Sequence, residues 1–172
     1  MTADELAAAV GAAAAHELDS ARHRIAHCLR QLNETQVWHR SQPSLNSIGN
    51  LILHLCGNVR QWIIAGLGGA ADARDRPAEF SEQGPIARAE LLRQLDAVVD
   101  EAKAALAGQT ARQLLEVRRI QGGEVTGLTA LFDSVPHFRR HTQEIVYRTR
   151  LHLGDAYRFA WTPATVEEGA PK

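Results

Sequence analysis

The chain predicts an all-α fold, a four-helix bundle. Three observations carry that reading. Apolar residues recur at the helical period along several long segments, Gly and Pro gather between those segments, and little of the chain alternates as a half-buried strand would. With 172 residues, 45% of them hydrophobic and 23% charged, the chain can bury one core without disulfide staples. Residues 1–160 are expected to form a single domain and 161–172 a C-terminal tail.

The first helix is expected from about Ala3 to about Asn33, with Leu18, Ile25, Leu29 and Leu32 as its apolar stripe. A polar connection through Arg40-Ser41-Gln42-Pro43 follows. The second helix opens at Asn46 or Ser47, both good cap types, and runs to about Leu67, where Gly66, Gly68 and Gly69 stop it. The stretch GGAADARDRPAEFSEQG is long for a bundle connection, unless the chain crosses over or the loop serves a site. Pro85 at a first-turn position predicts the start of the third helix, which Gly108 ends. Between Gln109 and Thr126 the pattern is mixed, and Leu115 to Ile120 reads either as a short strand or as a frayed helix end. The fourth helix is expected from Thr126 to Leu153-Gly154, with a kink or break at Pro136. Trp161 is a candidate anchor for the tail.

Charge and composition exclude several function classes. A net charge of −1 gives no general basic field, so no nucleic-acid partner is expected. Cys28 and Cys56 are too few and too far apart for a disulfide framework or a Cys-rich zinc site, and fit reduced thiols in a cytoplasmic protein. The Ala-rich start carries Asp4 and Glu5 and lacks a basic leader, so it reads as a helix. No apolar run is long enough for a membrane span.

The eight histidines are the informative residues. His23 with His27, and His137 with His141, stand four apart, which puts each pair on one helix face. At about 100° per residue, His16, His23 and His27 point away from the first helix's stripe and should face solvent. His137, His141 and Glu144 instead fall along one edge of the face set by Leu128, Leu131, Val135, Phe138 and Ile145. His54 lies beside the Leu51, Leu55 and Trp62 stripe, on a polar edge shared with Ser47, Asn50, Asn58 and Gln61. His54, His137 and His141 are therefore candidate ligands for one divalent metal ion, and three imidazoles would leave positions open for water or substrate. The alternative is three core-edge histidines satisfied by hydrogen bonds. HFRRH is not H-E-x-x-H, because Phe138 stands where a zinc protease has its Glu. Glu144 is the candidate base or supporting acceptor; equally it pairs with Arg148.

The segments NSIGNLILHLCGNVRQWIIAGLGG, RDRPAEF and VPHFRRHTQEIVYRTRLHLGD carry a resemblance. In this order they resemble the DinB-like superfamily of metal-binding four-helix bundles, which includes YfiT-like proteins and thiol-dependent transferases. The resemblance covers roughly Leu32 to Asp155, and the family's three ligand positions correspond to His54, His137 and His141. It implies a long crossover between helices two and three, a homodimer, and a nickel, zinc or iron ion that activates a low-molecular-weight thiol.

Around those ligands, Asn50 and Asn58 flank His54 by one turn each way and are candidates to orient it or to touch a cofactor, or else to bond to the crossover loop. Arg74, Arg76 and Glu79 are candidates to bind an anionic substrate over the metal, or to tie the loop down. Trp38, Trp62 and Trp161 either line a pocket or belong to the core. Cys56, about 200° round the helix from His54, is no ligand. Three functions compete: a metal-dependent thiol S-transferase acting on a small-molecule substrate, a metal-dependent hydrolase, and a non-catalytic, stress-related metal-binding dimer.

Overall fold

The structure is a computed structural model and describes residues 1–161. Helix α1 (Ala3–Gln31) is capped by Thr2, whose side chain accepts from Glu5 N while Glu5 returns the bond. It ends earlier than its sequence suggests. Leu32 is extended, and Asn33 caps a separate short helix, α2 (Glu34–Trp38), through a second such box with Gln36. Helix α3 (Ile48–Val59) begins at Ser47, which forms the same reciprocal cap with Asn50. A π-helical turn, Arg60–Ala65, prolongs it. Helix α4 (Arg76–Ser81) sits within the long connection, capped by Asp75.

Helix α5 (Arg88–Ala107) starts three residues after Pro85, not at it. The stretch before α5 serves as a strap: the Trp38 ring packs against Gly84, and its indole N–H donates to the Ile86 carbonyl at 3.0 Å. Arg88 then donates to the carbonyls of Leu29 and Leu32 at the end of α1. After α6 (Ala111–Leu115), the stretch the sequence left open forms a hairpin. Strands β1 (Val117–Ile120) and β2 (Gly123–Thr126) pair antiparallel, and Gln121 and Gly122 both take positive φ in the turn. Helix α7 (Gly127–Leu153) passes through Pro136 without the expected break. Proline removes only the bond to Phe132, and burial of Leu131 and Phe138 on either side carries the helix across.

The four long helices form a ring in the order α1, α5, α3, α7. Arg22 meets Asp96 and Lys103 meets Asp19, so α1 and α5 run antiparallel. Arg60 meets Glu101 while Gly68 approaches Ala105, so α3 and α5 run the same way. A chain leaving the end of α3 must therefore return along the bundle before α5 can begin, and the segment carrying α4 makes that return. The core between the helices is built from Leu18, Ile25, Leu51, Leu55, Leu95 and Phe138, all essentially inaccessible. No helix among the described residues is long and apolar enough to cross a membrane.

On α1, His16 and His23 are exposed, but His27 is half-buried and bonds through its ring to the Arg158 carbonyl. The chain after α7 folds back there, where Gln31 both donates to and accepts from the Arg158 backbone. Trp161 is 73% exposed, and the rest of the expected tail lies outside the described residues.

Candidate metal centre

The α3/α7 seam is antiparallel, and it brings residues eighty-three apart in sequence into contact. His54 Nε2 lies 2.9 Å from His137 Nε2. One turn away Ser134 Oγ donates to Asn58 Oδ1 at 2.9 Å. The rings of His54, His137 and His141 have centroids 4.6 to 5.3 Å apart. One nitrogen from each lies within 4.8 Å of the others. His54 is buried, while His137 and His141 are half-buried at the edge the helical angles indicate.

Two of the three rings are held by carboxylates. His54 Nδ1 lies 2.9 Å from Glu79 Oε2, and His141 Nδ1 lies 2.9 Å from Glu144 Oε2. An ionised carboxylate can only accept, so each Nδ1 donates a proton to its carboxylate and Nε2 is the nitrogen left for the interior of the cluster. Each carboxylate is neutralised in turn. Arg74 forks onto both oxygens of Glu79 at 2.7 and 2.9 Å, and Arg148 donates twice to Glu144 Oε1 at 3.0 and 2.8 Å. Burial pushes the Glu79 carboxyl up, but the bonds from Arg74 and His54 outweigh it and hold it below the usual range. Glu144 is lowered in the same way by His141 and Arg148 against its burial. His137 has no carboxylate. Burial, reinforced by neighbouring His141 and His54, pulls its pKa down to about 4, so the His137 ring is neutral at pH 7.

Three imidazoles whose nitrogens converge, each of which ligates in its neutral form, fit a divalent ion of intermediate softness such as zinc, nickel or iron. The carboxylate partners on two of them are the support that histidine ligands of metals usually have. The arrangement can hold an ion and leaves it short of a full coordination sphere.

The other candidates fall into place around this centre. Asn50 is fully buried: its oxygen accepts from Ser47 and Arg40, and its nitrogen donates to the carbonyls of Glu79 and Glu82. It fastens the crossover to α3. Arg74 is also committed, its side chain only 3% exposed and bonded to Gln61 as well as Glu79. Asn58 is 8% exposed, and its oxygen is taken by Ser134. Arg76 is exposed, with its Cζ 5.0 Å from the centre of the Phe80 ring. Trp38 and Trp62 pack half-buried against the core. Cys56 is buried beside the core with its thiol pushed up to about 12 by burial, and is no ligand.

Three contributors escape a reading of the sequence alone. Phe80 lies 4.9 Å from the His54 ring. Arg40 reaches the carbonyls of Phe80 and Glu82 and so locks α4 from the far side. Gly57, three residues after His54, leaves the space that Glu79 occupies: a Cβ there would lie 1.9 Å from Glu79 Oε1. A glycine in the middle of an apolar helix was the available signal for that close approach.

Comparison with known proteins bears on the fold and the family. Among solved structures, a conserved protein from Enterococcus faecalis superposes with a TM-score of 0.69 at 20% identity, covering 82% of this chain and 95% of that one. A DinB-like protein from Bacillus cereus superposes with a TM-score of 0.62 at 15% identity, covering 79% and 85%. At these identities the likeness concerns the fold. No curated protein matches the chain. The profile of one family, described as Mycothiol-S-transferase, matches residues 14–144, well over half the chain and inclusive of all three clustered histidines. The chain belongs to that family of the DinB-like superfamily.

Proposed function

We propose that this protein binds one divalent ion per chain through His54, His137 and His141 and transfers a low-molecular-weight thiol to an electrophilic small molecule. The observation that carries the reading is the convergence of three lone pairs, two of them fixed by the Glu79 and Glu144 carboxylates. The family match favours a thiol over water as the nucleophile. A divalent ion in this setting favours the thiolate form of a coordinated thiol at neutral pH. The chain's own groups do the positioning. Glu79 holds the His54 ring against Phe80, and Glu144 holds His141 with both of its oxygens engaged. We read Glu144 as an orienting group: the thiol proton passes to solvent as sulfur bonds to the electrophilic carbon, and that carbon gives up either a π bond, whose electron pair takes a proton from solvent, or a leaving group that departs with the bonding pair. Thiol chemistry of this kind belongs in a reducing compartment, and two buried free cysteines suit the cytoplasm. A homodimer is part of the proposal, checked by sedimentation.

The test is metal content per chain in the untagged protein and in His54→Ala, His137→Ala and His141→Ala, followed by thiol titration of the metal-loaded form. The expected result is about one ion per chain in the parent, lost in each variant, with a metal spectrum that responds to thiol. A loaded protein whose activity survives without thiol and disappears on chelation would favour hydrolysis instead. No binding of nickel, zinc or ferrous iron would overturn the metal centre.

A further inference from the structure

The charges around the three histidines do not cancel. Both carboxylates that touch the cluster already have a cation, Glu79 from Arg74 and Glu144 from Arg148. Two further guanidiniums stand at the rim with no acidic partner among the described residues. Arg76, on α4, is exposed over the Phe80 ring, which itself lies against His54. Stacking holds the guanidinium near the cluster while leaving its N–H edge free to donate. Arg140, on α7, is exposed and stands three residues after His137, a neighbouring position on the helix surface. One cation thus comes from the crossover side and one from the α7 side of the same three rings. The imidazoles contribute no negative charge, and a divalent ion would add two more positive ones, so the mouth of the centre is set to attract an anion.

We propose that the centre takes a substrate bearing a carboxylate, which Arg76 and Arg140 hold while the reacting atom faces His54, His137 and His141. The identity of the reacting atom rests on the thiol reading above; the charge imbalance does not. Either reactant, the thiol or the electrophile, can bring the carboxylate, and both present the same pair of oxygens to a guanidinium.

The experiment uses the full chain loaded with cobalt(II), the sulfur-to-metal absorption as readout for thiols, and calorimetry for thiol-free succinate. The thiols are 3-mercaptopropionate and the neutral 2-mercaptoethanol. The variants are Arg76→Gln, Arg140→Gln and their combination, with Arg119→Gln on exposed β1 as a charge control. A preference of about tenfold for 3-mercaptopropionate at low salt, falling to within about twofold in the double variant and kept in the control, supports a carboxylate carried by the thiol. If the two thiols bind equally but succinate binds and is lost in the double variant, the carboxylate belongs to the electrophile. If no thiol shifts the spectrum while succinate still needs both arginines, the thiol reading falls and the anion site stands. Equal binding of the two thiols, or of none, together with succinate binding that is absent or indifferent to the arginines, overturns the proposal.

Discussion

Replacing Gly57 by Ala should damage the metal centre without touching any ligand. The added Cβ would lie 1.9 Å from Glu79 Oε1, 2.8 Å from its Cδ and 3.1 Å from Arg74 Nε, whereas ordinary contact begins near 3.4 Å. The carboxylate would have to retreat by about 1.5 Å to reach ordinary contact. It is held at 2.9 Å to His54 and at 2.7 and 2.9 Å to Arg74, so a shift of that size cannot preserve all three bonds. Alanine by itself favours a helix interior over glycine by about 1 kcal/mol. Against this stands the disruption of a buried, forked ion pair, worth about 3 kcal/mol when a partner loses its place. The metal-free variant should thus unfold about 2 kcal/mol more easily, read from the denaturant midpoint at unchanged slope. Loss of a carboxylate that orients a ligating imidazole typically weakens metal binding about 10- to 100-fold, measurable by competition with a chelator. A variant that is more stable by about 1 kcal/mol, as helix propensity alone dictates, and binds metal as tightly as the parent would refute the argument.

Three further outcomes follow from the same geometry. Glu79→Ala leaves the Arg74 guanidinium buried without its anion and should cost about 3–5 kcal/mol; adding Arg74→Met should recover most of it, and a double-mutant cycle checks that coupling. In the metal-free protein the native His137 pKa is depressed to about 4 from 6.5. The unfolded chain binds that proton first as pH falls, so stability should be full above pH 6.5 and decline toward pH 4, with a shallower decline in His137→Gln by denaturant titration at several pH values. Gly49→Ala would bring a Cβ within 2.7 Å of the Trp38 ring and should cost about 1–3 kcal/mol by overpacking, seen as a lower Tm.

The bundle was legible because its signal is local. A helix announces itself through the 3.6-residue stripe of Leu18, Ile25 and Leu29, and through caps such as Ser47 with Asn50, both carried in a few turns of chain. The edge positions of His54, His137 and His141 follow from the same angles, which is why a reading of sequence could group residues from two distant helices. What escaped it is nonlocal or set by competition. Helix α5 starts at Arg88 and not at Pro85, and the residues between are held from another helix by Trp38, which donates to the Ile86 carbonyl. His27 escaped because its partner, Arg158, lies 131 residues away. The hairpin after α6 was ambiguous because a short run of mixed polarity, ending in Gly122-Gly123, fits either state until its pairing is known.

The centre and the crossover depend on the same contacts. The segment that returns the chain from the end of α3 to the start of α5 is fastened at one end of α4 by Asn50 of α3 and by Arg40, and ahead of α4 by the bonds of Arg74 and Asp72 with Gln61. Between these fastenings lies Glu79, whose carboxylate meets Arg74 and His54. Docking the segment is therefore what buries the carboxylate, and the buried carboxylate is what fixes the His54 proton on Nδ1. An ion that needs the free Nε2 then favours the docked segment by the same free energy with which docking favours the ion, since linkage between two equilibria is reciprocal. Hydrogen exchange across residues 72–82 should slow on metal loading in the parent and respond less in Glu79→Gln, which keeps the shape of the side chain and removes its charge. Equal slowing in both would mean that the segment is held by Asn50, Arg40 and Gln61 without the carboxylate, which then has no part in coupling it to the histidines.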